Sequence, residues 1–208
     1  MFFQEKVFKH SVGKEIRERF KAFEQNIGMP FTLSLSQIRE FHPGYPFCEI
    51  PMWRMYGDNF KGVRLKFKYQ KLKQYCRKTG YLDLVRCCYL TETKMDEEAK
   101  KVRNSIKDQG FTSELETVYK DSVLYKTYSW VYENEWRIVK WNQSINEIGV
   151  RSNGRLYLPM KIPLTLLESI DIGPKADFEA VEGSLNLILK KYNTTFKINK
   201  SKLQIGYV

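Results

Sequence analysis

Residues 125–141 read Tyr-Lys-Thr-Tyr-Ser-Trp-Val-Tyr-Glu-Asn-Glu-Trp-Arg-Ile-Val-Lys-Trp, the most aromatic part of the chain. Residues 131–139 within it are mostly β-branched or aromatic, which predicts a β-strand. Successive strand side chains point to opposite faces, so we expect Glu133, Glu135 and Arg137 to share a face. The two carboxylates would lie roughly 7 Å apart and would perturb each other's protonation beneath a cleft. The stretch predicts a functional site, with a surface ion cluster as the alternative.

Two segments upstream carry side chains that could complete such a site. Residues 31–36 alternate apolar residues with hydroxyls, which predicts a half-buried strand with Ser34 and Ser36 on its polar face. Residues 51–57 begin with proline and end with glycine, which predicts a helix of about two turns. Trp53 and Tyr56 would share one face of it. The hydroxyls could line a ligand cleft or face solvent, and the aromatic pair could stack on a planar ligand or belong to the core.

A basic strip occupies residues 61–78, which contain no acidic residue. The alternation over 61–68 predicts a strand with one apolar face and one basic face. Such a strip could hold the phosphates of a nucleic acid, and each contact would make the affinity more dependent on salt. The alternative is an edge strand that lysines protect against aggregation. The candidate nucleic-acid-binding residues are Arg64, Lys66, Lys68, Lys71 and Lys73.

The other patterns predict strands separated by helices. We expect strands over 82–90, 155–159, 169–174, 196–198 and 203–207, and helices over 4–27, 93–107, 114–125 and 177–192. Many strands follow one another directly, which favours an α+β fold over a doubly wound parallel sheet. The predicted architecture is a mixed, largely antiparallel sheet flanked by helices.

Composition sets the broad class of the protein. A length of 208 residues with 42% hydrophobic content predicts a single domain, 1–208, with the helix over about 4–27 packed on it. No apolar run approaches the ~20 residues of a membrane span, and no secretory signal opens the chain, so we expect a cytoplasmic protein that does not bind a membrane. The net charge of +11 favours nucleic acid or another acidic macromolecule as partner. These features do not determine the oligomeric state.

The cysteines and histidines do not form a recognisable metal or disulfide framework. The chain has four cysteines and two histidines, and none of them stands in a C-x-x-C pair or at another ligand spacing. We therefore expect no metal ion and interpret the cysteines as small core residues or free thiols.

Three segments together resemble an uncharacterised bacterial family, a domain of unknown function. They are Phe31-Thr-Leu-Ser-Leu-Ser36, then Met52-Trp-Arg-Met-Tyr56 with Lys61-Gly-Val63, and finally Lys126-x-x-x-Trp130-x-Tyr132-Glu133-x-Glu135-Trp136-Arg137. The resemblance covers residues from about 31 to 173. By its strand pattern that family is similar to the ADP-ribosyltransferase fold.

The resemblance implies a substrate and a set of roles. Such transferases break the nicotinamide N-glycosidic bond of NAD through an oxocarbenium-like state. Glu135 would stabilise the developing cation, and Glu133 would orient or deprotonate the acceptor. Ser34 and Ser36 would shape the nicotinamide pocket. Three further residues would contact the cofactor, with an aromatic ring stacked on it: Trp53, Tyr56 and Arg137.

One departure from the transferase pattern bears on activity. The pattern opens with an arginine or histidine on an early strand that grips NAD, whereas Arg17 and Arg19 lie in the predicted N-terminal helix. The resemblance thus leaves two outcomes, an active transferase or NAD glycohydrolase and a degenerate relative. A role as a toxin or phage-defence effector is what such bacterial families imply. A non-catalytic nucleic-acid-binding module that uses 61–78 is the alternative function.

Overall fold

The computed structural model describes residues 18, 29–37, 49–108, 113–142, 148–150 and 156–203. The chain groups into two compact units, each built from two stretches of sequence. The first unit comprises Met1–Ile38 and Cys76–Met160, and the second comprises Arg39–Tyr75 and Lys161–Val208. Two compact units can belong to one domain, so the single domain over 1–208 stays a prediction. The predicted helix over 4–27 lies outside the described residues except at Glu18, which is helical.

Strands and helices alternate along the described part of the chain. The strands are β1 (Met29–Ser36), β2 (Val63–Phe67), β3 (Asp83–Arg86), β4 (Cys88–Leu90), β5 (Tyr125–Thr127), β6 (Glu135–Asn142), β7 (Gly149–Val150), β8 (Leu156–Tyr157), β9 (Leu167–Ile172) and β10 (Lys197–Lys200). The α-helices are α1 (Glu49–Tyr56), α2 (Tyr69–Thr79), α3 (Glu92–Asp108), α4 (Ser113–Ser122) and α5 (Phe178–Lys191). Two short 3-10 helices span Tyr128–Glu133 and Leu164–Leu166.

The first unit is organised around β6. This strand lies between β1 and β3 and pairs antiparallel with both. Ile138 and Val139 of β6 are buried in the core. Burial of such side chains stabilises the fold by roughly 1.5–3 kcal/mol each. Two smaller sheets complete the described strands of this unit, parallel β4–β5 and antiparallel β7–β8.

Helix α3 covers part of the same core. Its buried side chains are Met95, Ala99 and Val102, which recur at four- and three-residue spacing on one face. Tyr119 of α4 is buried as well, and its ring lies 6.0 Å from that of Trp141 between centroids. The helices therefore use their apolar stripes in the way that the sequence periodicity predicts.

The second unit contains a three-stranded sheet in the order β10-β9-β2. The central strand β9 pairs parallel with β10 and antiparallel with β2. Gly173 follows β9, and its backbone N–H donates to the Gly62 carbonyl at 2.9 Å. A Cβ atom at Gly173 would meet the Phe60 carbonyl oxygen at 2.2 Å, so this close approach of two chain segments needs glycine.

The α+β class is confirmed, with helices and mainly antiparallel strand pairs. The helices predicted over 93–107, 114–125 and 177–192 are present as α3, α4 and α5, and 61–68 contains β2. The predicted strands 155–159, 169–174 and 196–198 correspond to β8, β9 and β10 with shifted ends. The strand predicted over 203–207 lies outside the described residues beyond Leu203.

The strand predicted over 131–139 is wrong in its first half. Residues Tyr128–Glu133 form a 3-10 helix, and β6 starts only at Glu135. Asn134 between them has φ 42° and ψ 52°, a left-handed conformation that ends the helix and cannot continue a strand. Asparagine adopts this conformation more readily than most residues. Aromatic composition alone could not separate the two elements.

The apolar run over 82–90 is two strands instead of the predicted one. The chain changes partner at Cys87, because β3 pairs with β6 whereas β4 pairs with β5. The Cys87 N–H donates to the Glu135 carbonyl and the Cys88 N–H to the Leu124 carbonyl, each at 2.9 Å. A buried run of apolar residues carries no signal for such a change of partner.

Candidate functional site

The serine strand and the glutamate strand are direct neighbours in the first unit. In the antiparallel pair of β1 and β6, Ser34 lies opposite Arg137 and Ser36 lies opposite Glu135. Directly opposed residues of an antiparallel pair point to the same face of the sheet. The register therefore brings both hydroxyls, one carboxylate and one guanidinium onto one face.

Lys126 of β5 joins the two glutamates. Its ammonium donates to Oε2 of Glu135 at 2.7 Å and to Oε2 of Glu133. Arg137 donates from Nε to Oε1 of Glu135 at 2.8 Å and from Nη1 to the Val123 carbonyl. We call Lys126, Glu133, Glu135 and Arg137 the carboxylate cluster. Its two positive and two negative side chains cancel in charge.

The left-handed turn at Asn134 brings Glu133 into the cluster. Asn134 is fixed on both sides, because its Nδ2 donates to the Gln37 carbonyl at 3.0 Å and its Oδ1 accepts from Arg86 at 3.0 Å. The Gln37 N–H in turn donates to the Asn134 carbonyl at 3.1 Å. Glu133 was expected on the same strand as Glu135. It reaches the cluster from the end of the 3-10 helix instead.

The carboxylates of the cluster are buried and ionised. Glu133 is 4% and Glu135 2% exposed. Burial raises the pKa of Glu135, but hydrogen bonds from Arg137, Lys126 and Ser34 outweigh it and lower the pKa to about 2. Burial lowers the pKa of Lys126, yet its hydrogen bonds to Glu133 and Glu135 raise that pKa overall. A permanently ionised Glu135 suits a group that stabilises positive charge and does not suit a general acid.

Neutral and aromatic groups surround the cluster. Burial raises the pKa of the Cys87 thiol to about 11 and also raises the pKa of Tyr89. The Tyr89 hydroxyl accepts a hydrogen bond from the Glu135 N–H at 2.7 Å. The Lys126 ammonium lies 5.3 Å from the centre of the Trp130 ring, within the range of a cation–π contact.

Trp53 and Tyr56 belong to the second unit and do not form an aromatic pair there. Trp53 is buried, whereas Tyr56 is exposed. The guanidinium of Arg64 lies 5.5 Å from the centre of the Trp53 ring. Since Arg64 covers a face of that ring, the prediction that Trp53 offers a stacking surface is wrong for this conformation.

The predicted basic face of β2 is largely neutralised. Arg64 donates to Oδ2 of Asp171 from Nε at 3.1 Å and from Nη2 at 2.7 Å, and it pairs with Glu49 at 3.2 Å. Lys66 lies 3.8 Å from the same Asp171 oxygen. The expected burial pattern is also reversed, because Val63 and Leu65 are exposed. Asp171, which lies opposite Arg64 in the sheet, draws the basic side chains towards β9.

Three lysines of the strip lie elsewhere. Lys68 and Lys71 are exposed, and the Lys73 ammonium lies 5.7 Å from the centre of the Tyr69 ring. Lys71 and Lys73 belong to α2, a helix for which the sequence analysis made no prediction. Its buried side chains, Leu72 and Cys76, are four residues apart, and this spacing was the available signal.

Sequence reasoning did not assign Lys126 a role, although Lys126 stands in the quoted motif. The available signal was electrostatic. Two carboxylates predicted to be under cover need counter-cations, because an unpaired buried charge is costly. Arg137 supplies one such charge, and Lys126 on the preceding strand is the nearest cation upstream of Glu133 in the sequence.

Two broader properties were searched in the described part of the chain. Within it, no group of three or more His, Cys, Asp or Glu side chains is arranged to hold a metal ion. None of its helices combines the length and the apolar content that crossing a membrane requires.

Comparison with known proteins gives one match. No curated protein and no solved structure matches the chain. Residues 52–138 match a family described as "Protein of unknown function (DUF2971)". This range contains both glutamates and Arg137 and begins after the serine strand. The match supports the expected resemblance to an uncharacterised family of unknown function.

Proposed function

We propose that the protein is an ADP-ribosyltransferase-like protein that cleaves the nicotinamide N-glycosidic bond of NAD. The observation that carries this proposal is the register of β1 and β6, in which Ser34 and Ser36 lie opposite Arg137 and Glu135. A serine strand beside a strand that begins with a glutamate is the arrangement that the resemblance leads us to expect. The fold relationship to the transferases is part of the proposal.

Glu135 is the proposed stabiliser of the transition state. As the C1′–N bond breaks, nicotinamide leaves with the bonding electron pair and positive charge develops on the ribose. An ionised carboxylate favours that charge more in the transition state than in the ground state. Its low pKa keeps Glu135 ionised throughout the neutral range. The exposed Ser34 hydroxyl bonds Glu135, and a ribose 2′-hydroxyl has the same donor chemistry and can take its place.

The remaining groups have supporting roles. Glu133 orients the acceptor and takes its proton as the acceptor or water attacks C1′. Ser36 contributes to the nicotinamide pocket. Arg137 was expected to contact the cofactor, but its guanidinium is engaged by Glu135 and the Val123 carbonyl, so we assign it to holding Glu135 in place. An NAD-consuming activity of this kind would suit a toxin or phage-defence effector.

The test is nicotinamide release from NAD by the purified protein. We expect release by the wild type, a loss of at least about 100-fold in Glu135→Gln, and a smaller loss in Glu133→Gln. Glu168→Gln removes an exposed carboxylate of β9 and is the matched control, with unchanged release expected. A folded wild type that releases no nicotinamide, or a Glu135→Gln variant that matches it, would sink the proposal.

A second candidate function is nucleic-acid binding by Lys68, Lys71 and Lys73. The favouring observation is that Lys68 and Lys71 are exposed and that α2 contains no acidic residue. Arg64 and Lys66 are excluded from this surface because they pair with Asp171. An exposed run of lysines without acids favours phosphate contacts.

Polyanion binding measured at several salt concentrations tests this candidate. Neutralising Lys68 and Lys71 together to glutamine is expected to weaken binding and flatten its dependence on salt by about one unit of slope per contact. Lys66→Gln is the control and is expected to bind nearly as the wild type. Binding that is absent, or that does not respond to salt, removes the candidate.

A further inference from the structure

A single ammonium connects the two candidate carboxylates. Lys126 Nζ donates to Oε2 of Glu133 and to Oε2 of Glu135, so one positive charge lies between two negative ones. The carboxylates are almost fully buried, and the Lys126 side chain is 18% exposed. The like charges are therefore held together by a group that approaches from the solvent side.

The other neighbours of Glu135 do not perform this task. Arg137 Nε donates to Oε1 of Glu135, and its remaining recorded bonds go to Glu135 Oε2 at 3.4 Å and to the Val123 carbonyl. Cys87 and Tyr89 flank the pair, and Tyr132 lies beside Glu133. Burial raises the pKa of all three, so they are neutral at pH 7. The charges around the pair at neutral pH are those of Lys126 and Arg137.

Removing the Lys126 charge would leave two carboxylates with one counter-cation. Like charges at short distance disfavour joint ionisation, and burial adds to this effect. One carboxyl group of the pair would then retain its proton to a higher pH. The two groups would also titrate as a coupled pair and no longer independently.

We propose that Lys126 is a positioning residue that holds Glu133 and Glu135 together as a doubly ionised pair. The inference rests on the proposed function in so far as these carboxylates act on NAD. A protonated carboxyl cannot stabilise a ribosyl cation or accept a proton from the acceptor. Lys126 thus sets the lowest pH at which the pair can serve the reaction.

The test compares the carboxyl titration of Glu133 and Glu135 in four proteins, followed by carbon NMR with carboxyl-labelled glutamate. Signals are assigned with Glu133→Gln and Glu135→Gln. We expect Lys126→Met to raise one titration of the pair by about one pH unit or more. Lys126→Arg should retain the wild-type titration, and so should Lys120→Met, which removes an exposed lysine paired with Glu116. Lys126→Gln keeps a hydrogen-bond donor without charge and should behave like Lys126→Met.

Two readouts separate the possible failures. Nicotinamide release measured against pH should lose its acidic limb in Lys126→Met and regain it in Lys126→Arg. A pair that titrates in Lys126→Met or Lys126→Gln as in the wild type overturns the role of Lys126, whether or not NAD is cleaved. The expected NMR shift without nicotinamide release in any protein overturns the NAD proposal and leaves the ionisation role supported.

Discussion

Arg64 on β2 and Asp171 on β9 are direct cross-strand partners, and two hydrogen bonds of 2.7 and 3.1 Å join the guanidinium to one carboxylate oxygen. Asn199 on the other side of β9 donates to the second oxygen at 2.8 Å. Burial raises the pKa of Asp171, but the bonds from Asn199 and Arg64 lower it overall. This polar row crosses all three strands of the second unit.

Asp171→Asn is expected to destabilise the protein by about 3 kcal/mol, because it leaves the partly buried guanidinium without its main counter-charge. The control is Glu116→Gln, which breaks an exposed pair with Lys120 and should cost at most about 0.5 kcal/mol. Urea denaturation of both variants gives the free energies of unfolding. Equal effects in the two variants would mean that the polar row contributes no more than a surface ion pair.

Acid should destabilise the wild type through Glu135. Its pKa falls from the ordinary value of 4.5 to about 2 on folding, so its contribution is complete above pH 4.5 and is lost as the pH falls towards 2. The loss amounts to about 3 kcal/mol. Unfolding free energy measured from pH 7 to 2 should therefore decline less steeply in Glu135→Gln. The same slope in both proteins would show that Glu135 is not held ionised.

Asn134→Ala should cost about 1–2 kcal/mol more than Asn134→Gly. Both variants lose the bonds to Gln37 and Arg86, but only alanine is strained at φ 42°. The difference in thermal denaturation between the two variants isolates the backbone contribution. If glycine is as destabilising as alanine, the side-chain bonds and not the left-handed turn fix Glu133 beside Glu135.

Gly173→Ala is expected to destabilise the second unit by several kcal/mol, because the new Cβ would overlap the Phe60 carbonyl. The matched control is Gly183→Ala in α5, where a Cβ meets nothing within 4 Å and where alanine should stabilise the helix by up to about 1 kcal/mol. Chemical denaturation should give opposite signs for the two variants. A neutral Gly173→Ala would show that the two chain segments can separate without cost.

The sequence predicted those parts of the molecule that depend on local periodicity. The stripe of Met95, Ala99 and Val102 identified α3, and the alternation at 31–36 identified β1 and the face that carries Ser34. The common face of Glu135 and Arg137 also followed from a period of two.

The features that the sequence did not predict depend on partners distant in the chain. Asp171 lies 107 positions from Arg64, so nothing near β2 indicated that its basic side chains would be paired. The role of Lys126 depends on a left-handed Asn134, which local propensity permits but does not require. The burial of Trp53 depends likewise on the position of Arg64 over its ring.

The neutrality of the carboxylate cluster has a consequence for the long-range field of the protein. Since Lys126 and Arg137 balance Glu133 and Glu135, none of the net charge of +11 originates at the cluster. Charges on the surface are screened over about 8–10 Å at physiological ionic strength, whereas buried pairs are screened much less. Added salt should therefore weaken any association with polyanions while leaving chemistry at Glu135 nearly unchanged. Ionic strength alone can separate the two candidate activities within one unmodified protein.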